Sequence, residues 1–443
     1  MRRSVWRFLF ISADIRNRLL ISVGLLILYR LVAHVPVPGI DRDAIAGVLT
    51  GQGQALFGLL DLLSGGTVSN FSVLAMGVYP YITAQIILQL LTPIIPALQR
   101  RMDDDPREAR KWQEKWTYYL AVPMAALTAF GQIRIFEQYA VGQGSVVTFS
   151  MGLNLQTLTL ILTMTAGTMF AIWLGELISE FGIRNQGLSL IIFAGIVSRI
   201  PTNLGKVLAD QQQAVPLLIF VLFIMIATIF AIVFVQEGRR NVPVMYPGRR
   251  VGHRMSMPVK GTLPLMVNMA GMIPLIFAQS FLTFPAVIAQ FFMGSTNTTV
   301  QSIAVWLQNT FGGISNTYWV LYFFMVVGFT FFYTDVLFTQ QNYGENLKRS
   351  GAQVPGVTKG VATQRYLTRV LRRITFPGAV FLGLVAISPF LVGLVWPVGG
   401  SNTGLLLVSS AGLLIVVGVI RDVYRSIEAE LKLRGYDQAL LVR

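Results

Sequence analysis

The 443-residue sequence contains no cysteine, and this absence excludes disulfides, thiolate nucleophiles and cysteine-based metal sites. Its only two histidines, His34 and His253, lie far apart in the sequence. It also lacks an HExxH zinc motif, a Walker A loop and a GxGxxG dinucleotide motif. These absences predict a protein that is not an enzyme and that uses no cofactor, metal or small-molecule substrate.

Charged residues are also scarce. They make up 12% of the chain, whereas a typical soluble domain has about 25%. Hydrophobic residues make up 54% of the chain and the mean hydropathy is +0.62, so the composition excludes a soluble enzyme and indicates a polytopic membrane protein. The 35 Lys and Arg exceed the 20 Asp and Glu, which leaves a net charge of +15.

Long apolar stretches are abundant. A bilayer core about 30 Å thick requires roughly 20 apolar residues per helix. Ten stretches meet or approach this length, at residues 19–35, 73–98, 116–136, 155–178, 187–200, 215–236, 264–293, 318–338, 374–396 and 404–420. The sequence therefore predicts an all-α membrane protein with ten transmembrane helices. A further apolar stretch, 55–63, is too short to span and is a candidate re-entrant half-helix.

The cations lie on alternate loops and so predict the orientation. Thirty of the 35 Lys and Arg fall in segments 1–18, 100–115, 180–187, 237–263, 339–373 and 421–443. Because positively charged loops stay on the cytoplasmic side, both termini are expected in the cytoplasm.

An internal repeat relates the second and seventh spans at an offset of 194 residues. The identities pair Gly77, Pro80, Ile82, Ala84, Gln85 and Leu88 with Gly271, Pro274, Ile276, Ala278, Gln279 and Leu282. We interpret residues 1–200 and 215–420 as two copies of a five-helix unit, with the second copy inverted. An external connection at 201–214 joins the two copies, and a cytoplasmic tail at 421–443 follows the second. The interpretation places both prolines in mid-span, where each removes a helical hydrogen bond. Chance similarity between apolar segments is the alternative.

Ionisable residues are rare inside the spans, which disfavours an ion-coupled transporter or an intramembrane protease. Glu176, Asp335 and Arg30 lie near span ends. Aliphatic residues remain as candidates for a pathway lining: Val78, Ile82, Leu188, Ile192, Ile276 and Ile415. They are candidates either for a hydrophobic constriction that excludes ions by dewetting or for ordinary core packing.

Several motifs occur in a fixed order along nearly the whole chain. They lie at residues 64–66, 75–82, 167–170, 173–176, 191–197, 267–274, 346–348, 350–352, 354–356 and 413–417. This ordered set resembles the SecY/Sec61 family of protein-conducting channels.

The resemblance implies an hourglass pore between two inverted halves, sealed by a ring formed by the six aliphatic residues named above. It implies a plug at about 55–72, which includes Leu59, Asp61, Ser64, Gly65 and Gly66. It also implies a lateral gate between spans two and three and spans seven and eight, lined by Thr83, Phe284 and Ile288.

The implied function is to translocate unfolded preproteins across the bacterial cytoplasmic membrane and to release signal or transmembrane segments into lipid. An ion-coupled secondary transporter on an inverted-repeat scaffold is the alternative. The implied partners are SecE, SecG, the ATPase SecA, the ribosome, signal peptides, nascent chains and membrane lipid. The long loops 237–263 and 339–373 are the expected docking surface, with Arg239, Arg240, Arg249, Arg250, Lys348 and Lys359. Thr358 stands where the family pattern has an arginine that is important for the motor, which weakens the prediction of motor docking at that residue.

Overall fold

The computed structural model describes residues 13–39, 71–139, 154–209, 214–247, 250–251, 254–255, 259–292, 297–311, 315–395 and 409–433. Most of these residues are helical. The helices of the first part of the chain are α1 (Ala13–Val32), α2 (Tyr79–Ile94), α3 (Pro96–Asp104), α4 (Pro106–Tyr139), α5 (Leu155–Phe181), α6 (Gly187–Ala209) and α7 (Ala214–Glu237).

An antiparallel hairpin follows α7. It pairs β1 (Arg239–Tyr246) with β4 (Val259–Met266), and the chain between them carries the short pair β2 (Arg250–Val251) and β3 (Arg254–Met255). The remaining helices are α8 (Ile273–Phe292), α9 (Thr298–Phe311), α10 (Asn316–Gln340), α11 (Tyr343–Arg349), α12 (Val361–Val395) and α13 (Ser409–Leu433).

Each of the ten predicted spans contains a helix, and these are α1, α2, α4, α5, α6, α7, α8, α10, α12 and α13. Three described helical stretches are long and apolar enough to cross a membrane: Leu155–Phe181, Asn316–Arg349 and Val361–Ser388. Three shorter apolar stretches lie at Gly187–Ser198, Leu222–Glu237 and Ile273–Ala286. Large hydrophobic side chains on α7, such as Phe223, Phe230 and Phe234, are exposed, as expected for a surface that faces lipid.

Several helices continue beyond their apolar stretches. Helix α6 runs to Ala209 and α7 begins at Ala214, so the connection is shorter than the predicted 201–214. Helix α12 begins at Val361 and α13 continues to Leu433, into the predicted tail. Arginine, lysine and glutamate are good helix formers, so a helix need not end where its sequence becomes polar.

Loop 237–263 contains the hairpin, a strand structure that the sequence did not predict. Val242 and Val244 on β1 alternate with exposed neighbours and are buried, as the two-residue period of a strand requires. They pack with Leu265 on β4, Phe338 and Leu371 in a separate apolar core. The loop therefore forms a folded unit with its own interior.

The paired glycines and prolines lie at helix starts, which corrects the prediction of mid-span kinks. Gly77 and Gly271 have φ values of +52° and +65°, in the left-handed region that favours glycine. Each precedes the first residue of its helix, Tyr79 or Ile273, by two positions. Pro80 and Pro274 are thus the second residues of α2 and α8, where a missing N–H breaks no helical hydrogen bond. The repeat has the same local structure in both copies.

Two large apolar cores share the last helix. The first is built mainly from α1, α2, α5 and α6, and the second mainly from α7, α8, α10 and α12. Ile415 and Val419 on α13 belong to the first core, and Leu414 belongs to the second. Helix α13 therefore joins the two parts of the molecule.

Ion pairs also attach the C-terminal end of α13 to both parts. Arg18 on α1 lies 3.0 Å from Glu430, and Arg425 donates to Glu237 at the end of α7 over 2.9 Å. A cavity of about 320 Å³ lies beside Arg18 and Glu430, next to the turn at 182–186. We call the Arg18–Glu430 pair the clasp.

Candidate functional site

The six predicted ring residues lie on four helices and one helix-preceding turn. Val78 directly precedes α2 and Ile82 lies on it, Leu188 and Ile192 lie on α6, and Ile415 lies on α13. Val78, Ile192 and Ile415 are buried members of the first core, and Ile82 and Leu188 are half-buried against it. Five of the six predicted residues therefore meet in a single apolar cluster.

The sixth residue, Ile276 on α8, is also buried. Met272, four residues earlier, packs against both large cores. At the repeat offset of 194, Ile276 is the counterpart of Ile82 and Met272 is the counterpart of Val78. The sequence analysis missed Met272, although applying the same offset to Val78 identifies it.

A second repeat relation links α6 and α13. At an offset of 223, Leu190 pairs with Leu413, Ile192 with Ile415, Gly195 with Gly418 and Ile196 with Val419. The members of each pair are similarly buried: Leu190 and Leu413 are both 7% exposed, and Ile192 and Ile415 are 6% and 3% exposed. The aliphatic cluster thus contains two pairs of equivalent positions.

The predicted gate residues occupy different environments. Thr83 on α2 is half-buried, and its Oγ1 donates to the Tyr79 carbonyl over 2.9 Å. Phe284 and Ile288 on α8 are 54% and 37% exposed.

Helix α8 packs against both α2 and α4. Ile86 on α2 and Phe277 on α8 belong to a small apolar cluster that also includes Tyr333 on α10. We call this contact between α2 and α8 the seam. The sequence analysis did not identify these seam residues, because the facing side chains depend on how the two helices are rotated.

The plug residues Leu59, Asp61, Ser64, Gly65 and Gly66 lie outside the described residues. Only the end of the predicted segment 55–72 is described. There Phe71 and Ser72 are buried, and Ser72 forms a β-bridge with Pro36. This bridge places the end of the segment next to the end of α1.

The predicted docking residues lie mainly on or beside the hairpin. Arg239 and Arg240 are exposed at the start of β1. Arg250 is paired with Met255 in the short second ladder, and Arg249 lies outside the described residues. Lys348 on α11 forms an ion pair with Glu345 over 3.7 Å, and Lys359 is exposed just before α12.

The hairpin loop and the loop 339–373 are joined through their backbones. The Met245 N–H donates to the Gln353 carbonyl over 2.8 Å, and the Gln353 N–H donates back over 2.9 Å. Ala352 and Val354 on either side of Gln353 are buried in the hairpin core. The hairpin and the second loop therefore form one continuous surface.

Two of the acidic residues near span ends have partners on neighbouring helices. The Tyr118 hydroxyl on α4 donates to the Glu176 carboxylate on α5. Arg372 on α12 donates to both carboxylate oxygens of Asp335 on α10, with a shortest distance of 2.7 Å. This hydrogen bonding raises the pKa of the Arg372 guanidinium above its ordinary value. Both carboxylates thus join pairs of helices.

Comparisons of sequence and of structure relate the chain to known proteins. The family model named SecY matches residues 72–424. The protein translocase subunit SecY of Streptomyces scabiei is 35% identical over 439 residues, which cover 97% of each chain. A solved structure titled "The structure of a protein conducting channel" superposes with a TM-score of 0.64 at 18% identity over 97% of each chain. Sec61 in a canine ribosome-channel complex from the endoplasmic reticulum gives a TM-score of 0.63 at 18% identity, also over 97% of each chain.

Proposed function

The chain belongs to the SecY family, and from this membership we propose that it is the channel subunit of a protein translocase. It conducts unfolded preproteins across the membrane and releases signal or transmembrane segments into lipid through a lateral gate. The predicted fold class is confirmed by the family match and by the similarity to solved channels over nearly the full length. The chain is a multi-pass membrane protein and not an enzyme.

One observation carries the proposed mechanism: aliphatic side chains from α2, α6 and α13 meet in one buried cluster. A narrow passage lined by such side chains does not hydrate, so it excludes ions when no peptide occupies it. Aliphatic groups also make no directional hydrogen bonds, so they can fit many different peptides. The cluster therefore supports a seal that can accept translocating peptides of many different sequences.

The seam between α2 and α8 supports the proposed lateral exit. Its described contacts include a small apolar cluster that contains Ile86 on α2 and Phe277 on α8. A hydrophobic signal segment of about 20 residues gains free energy by entering lipid. That gain can offset the loss of the seam contacts when the gate opens.

We place both termini and the hairpin in the cytoplasm of a bacterium, on the basis of the positively charged loops. The proposed partners are the small subunits SecE and SecG, the motor SecA and the ribosome. A Sec61 relative was solved in a ribosome-channel complex. The joined surface of the hairpin and the second loop supports docking here, because exposed arginines can bind RNA phosphates.

The plug is proposed by family membership for residues 55–72. The β-bridge between Ser72 and Pro36 supports it, because this bridge holds the end of the segment at the end of α1. The division into halves 1–200 and 215–420 is supported by the matching helix starts at Tyr79 and Ile273.

Reconstitution into proteoliposomes tests the proposed function. Vesicles containing this chain and the small subunits should protect a preprotein from external protease only when SecA and ATP are present. Vesicles without the chain are the control. Solute uptake driven by an ion gradient, without preprotein transport, would support the transporter alternative and contradict the proposal.

A further inference from the structure

Gly167 and Gly378 lie directly against the backbone of Val73 and Val267, at equivalent points of the repeat. A Cβ on Gly167 of α5 would lie 2.7 Å from the carbonyl carbon and 2.8 Å from Cγ1 of Val73. A Cβ on Gly378 of α12 would lie 2.8 Å from the carbonyl oxygen and 3.0 Å from Cγ1 of Val267. Atoms do not pack this closely, so neither site accepts a larger residue without moving Val73 or Val267.

The two contacts are copies of each other. Val73 and Val267 are related by the offset of 194 that also relates Ile82 to Ile276. In both copies the glycine faces the carbonyl group and Cγ1 of the valine. Each glycine is also followed three positions later by a phenylalanine, Phe170 or Phe381. A contact that recurs with the same atoms in both copies indicates a shared role.

Each valine is connected to the start of a seam helix by a hydrogen-bonded turn. In the first copy the Gly77 N–H donates to the Leu74 carbonyl over 2.7 Å, just before α2 begins. In the second copy the Asn268 side chain donates to the Gly271 carbonyl over 3.0 Å and accepts from the Gly271 N–H over 2.9 Å. These turns are short and held by hydrogen bonds, so a shift of the valine should move the first turn of the helix that follows it.

We propose that Gly167 and Gly378 are positioning residues that set the resting separation of α2 and α8. The glycines let α5 and α12 pack close to the valine carbonyls, and this holds the N-terminal ends of both helices at the closed seam. An added methyl group would push each end away and favour the open seam. This inference rests on the proposed function of the seam as a lateral gate.

The absence of cysteine makes a direct test possible. Because α2 and α8 run in opposite directions in an inverted repeat, two pairs of spin-labelled cysteines are needed. The pair of Thr83 near the start of α2 with Ile288 on α8 reports on Gly167. The pair of Ile273 at the start of α8 with Leu91 on α2 reports on Gly378. Pulsed EPR should show longer interlabel distances in Gly167→Ala and Gly378→Ala than in the labelled parent. The resting ion conductance and the transport of preproteins with defective signals should rise several-fold in both variants.

Gly328→Ala on α10 and Gly24→Ala on α1 are matched controls, because a Cβ at either position meets no atom within 4 Å. Both controls should keep the parent's distances and conductance. Parent-like distances in Gly167→Ala or in Gly378→Ala would overturn the proposal. The distance measurement needs no transport, so it remains decisive if the parent moves no preprotein and the proposed function fails.

If the alanine variants do not fold, Val73→Ile and Val267→Ile test the same two contacts by enlarging the valine instead of the glycine. Each adds one methyl group to the valine side chain beside the glycine, so the interlabel distance should increase less than for the alanine variants. Unchanged distances in both isoleucine variants would overturn the proposal.

Discussion

Side chains of the proposed ring end in methyl groups, and the equivalent residues of α6 and α13 are similarly buried. Ile192 and Ile415 are equivalent and both buried, and each packs into the first core. A polar side chain at such a position attracts water. Water in the constriction would remove the dewetted barrier that holds back ions.

We therefore expect Ile415→Asn to increase the resting ion conductance several-fold and to let preproteins with weak signals pass. Ile420→Asn on the same helix is the control, because Ile420 is 54% exposed and lies outside the cluster. Planar-bilayer recordings and a transport assay with defective signals measure the two effects. Equal conductance in the two variants would contradict a seal at Ile415.

Met272 is a further candidate for the proposed ring, because it is the repeat counterpart of Val78 and packs against both large cores. We expect Met272→Asn to raise the resting conductance as Val78→Asn does. The same bilayer recordings compare them. A leak from Val78→Asn alone would show that the second copy does not contribute at this position.

Helices α2 and α8 begin in the same way, with a left-handed glycine followed three positions later by proline. The sequence repeat predicted this correspondence, but the interpretation of the prolines as mid-span kinks was wrong. Hydropathy locates an apolar stretch and does not locate the first helical residue inside it. A glycine shortly before the proline was the available signal for a helix start.

The corrected interpretation separates the roles of Gly271 and Pro274. Gly271→Ala should lower the free energy of unfolding by about 1–2 kcal/mol, because a left-handed conformation is costly for alanine. A Cβ there meets no atom within 4 Å, so the backbone conformation is the only source of the cost. Pro274→Ala should leave stability nearly unchanged, since the proline lies in the first turn.

Thermal unfolding in detergent measures both changes. Gly328→Ala controls for adding a methyl group, because that glycine also has open space and its φ is not in the left-handed region. A loss of stability in Pro274→Ala equal to that in Gly271→Ala would contradict this account of the helix starts.

The hairpin shows a different limit of sequence analysis. The charge and the length of loop 237–263 predicted a docking surface, but they did not predict the strands of the hairpin. The alternation of Val242 and Val244 was the local signal. The pairing of Met245 with Gln353 had no such signal, because that contact depends on how two separate loops pack together.

Arginines near the end of the hairpin should contribute to ribosome binding. Arg250→Glu should weaken binding and reduce the slope of log affinity against log salt by about one. Arg184→Glu makes the same charge change in an exposed turn of the first half and should have little effect. Cosedimentation with ribosomes at several salt concentrations measures the slope, and equal slopes would contradict specific docking at the hairpin.

The whole molecule is joined at α13, which contributes to both cores and carries Glu430 of the clasp. The sequence predicted the ten spans and the equivalence of the halves, because apolar length and repeated motifs are local properties. It could not predict that Arg18 and Glu430 meet, since the first and last helices come together only through tertiary packing. For the same reason, the sequence could not predict the close contacts of Gly167 and Gly378 with Val73 and Val267.

A charge swap tests the clasp. Arg18→Glu and Glu430→Arg should each destabilise the protein, and the double variant should recover part of the loss. The coupling between the two sites should be about 0.5–1 kcal/mol, as is usual for a partly exposed ion pair. Thermal unfolding of the parent and the three variants gives this coupling, and additive losses would show that the pair contributes no interaction energy.

The position of Ile415 near the end of the chain has a consequence for biosynthesis. Ribosomes make proteins from the N-terminus, so α2 and α6 enter the membrane long before α13 is available. Until then the proposed seal lacks the side chains that α13 contributes. New copies should therefore be vulnerable to leakage or degradation until their final helix is inserted.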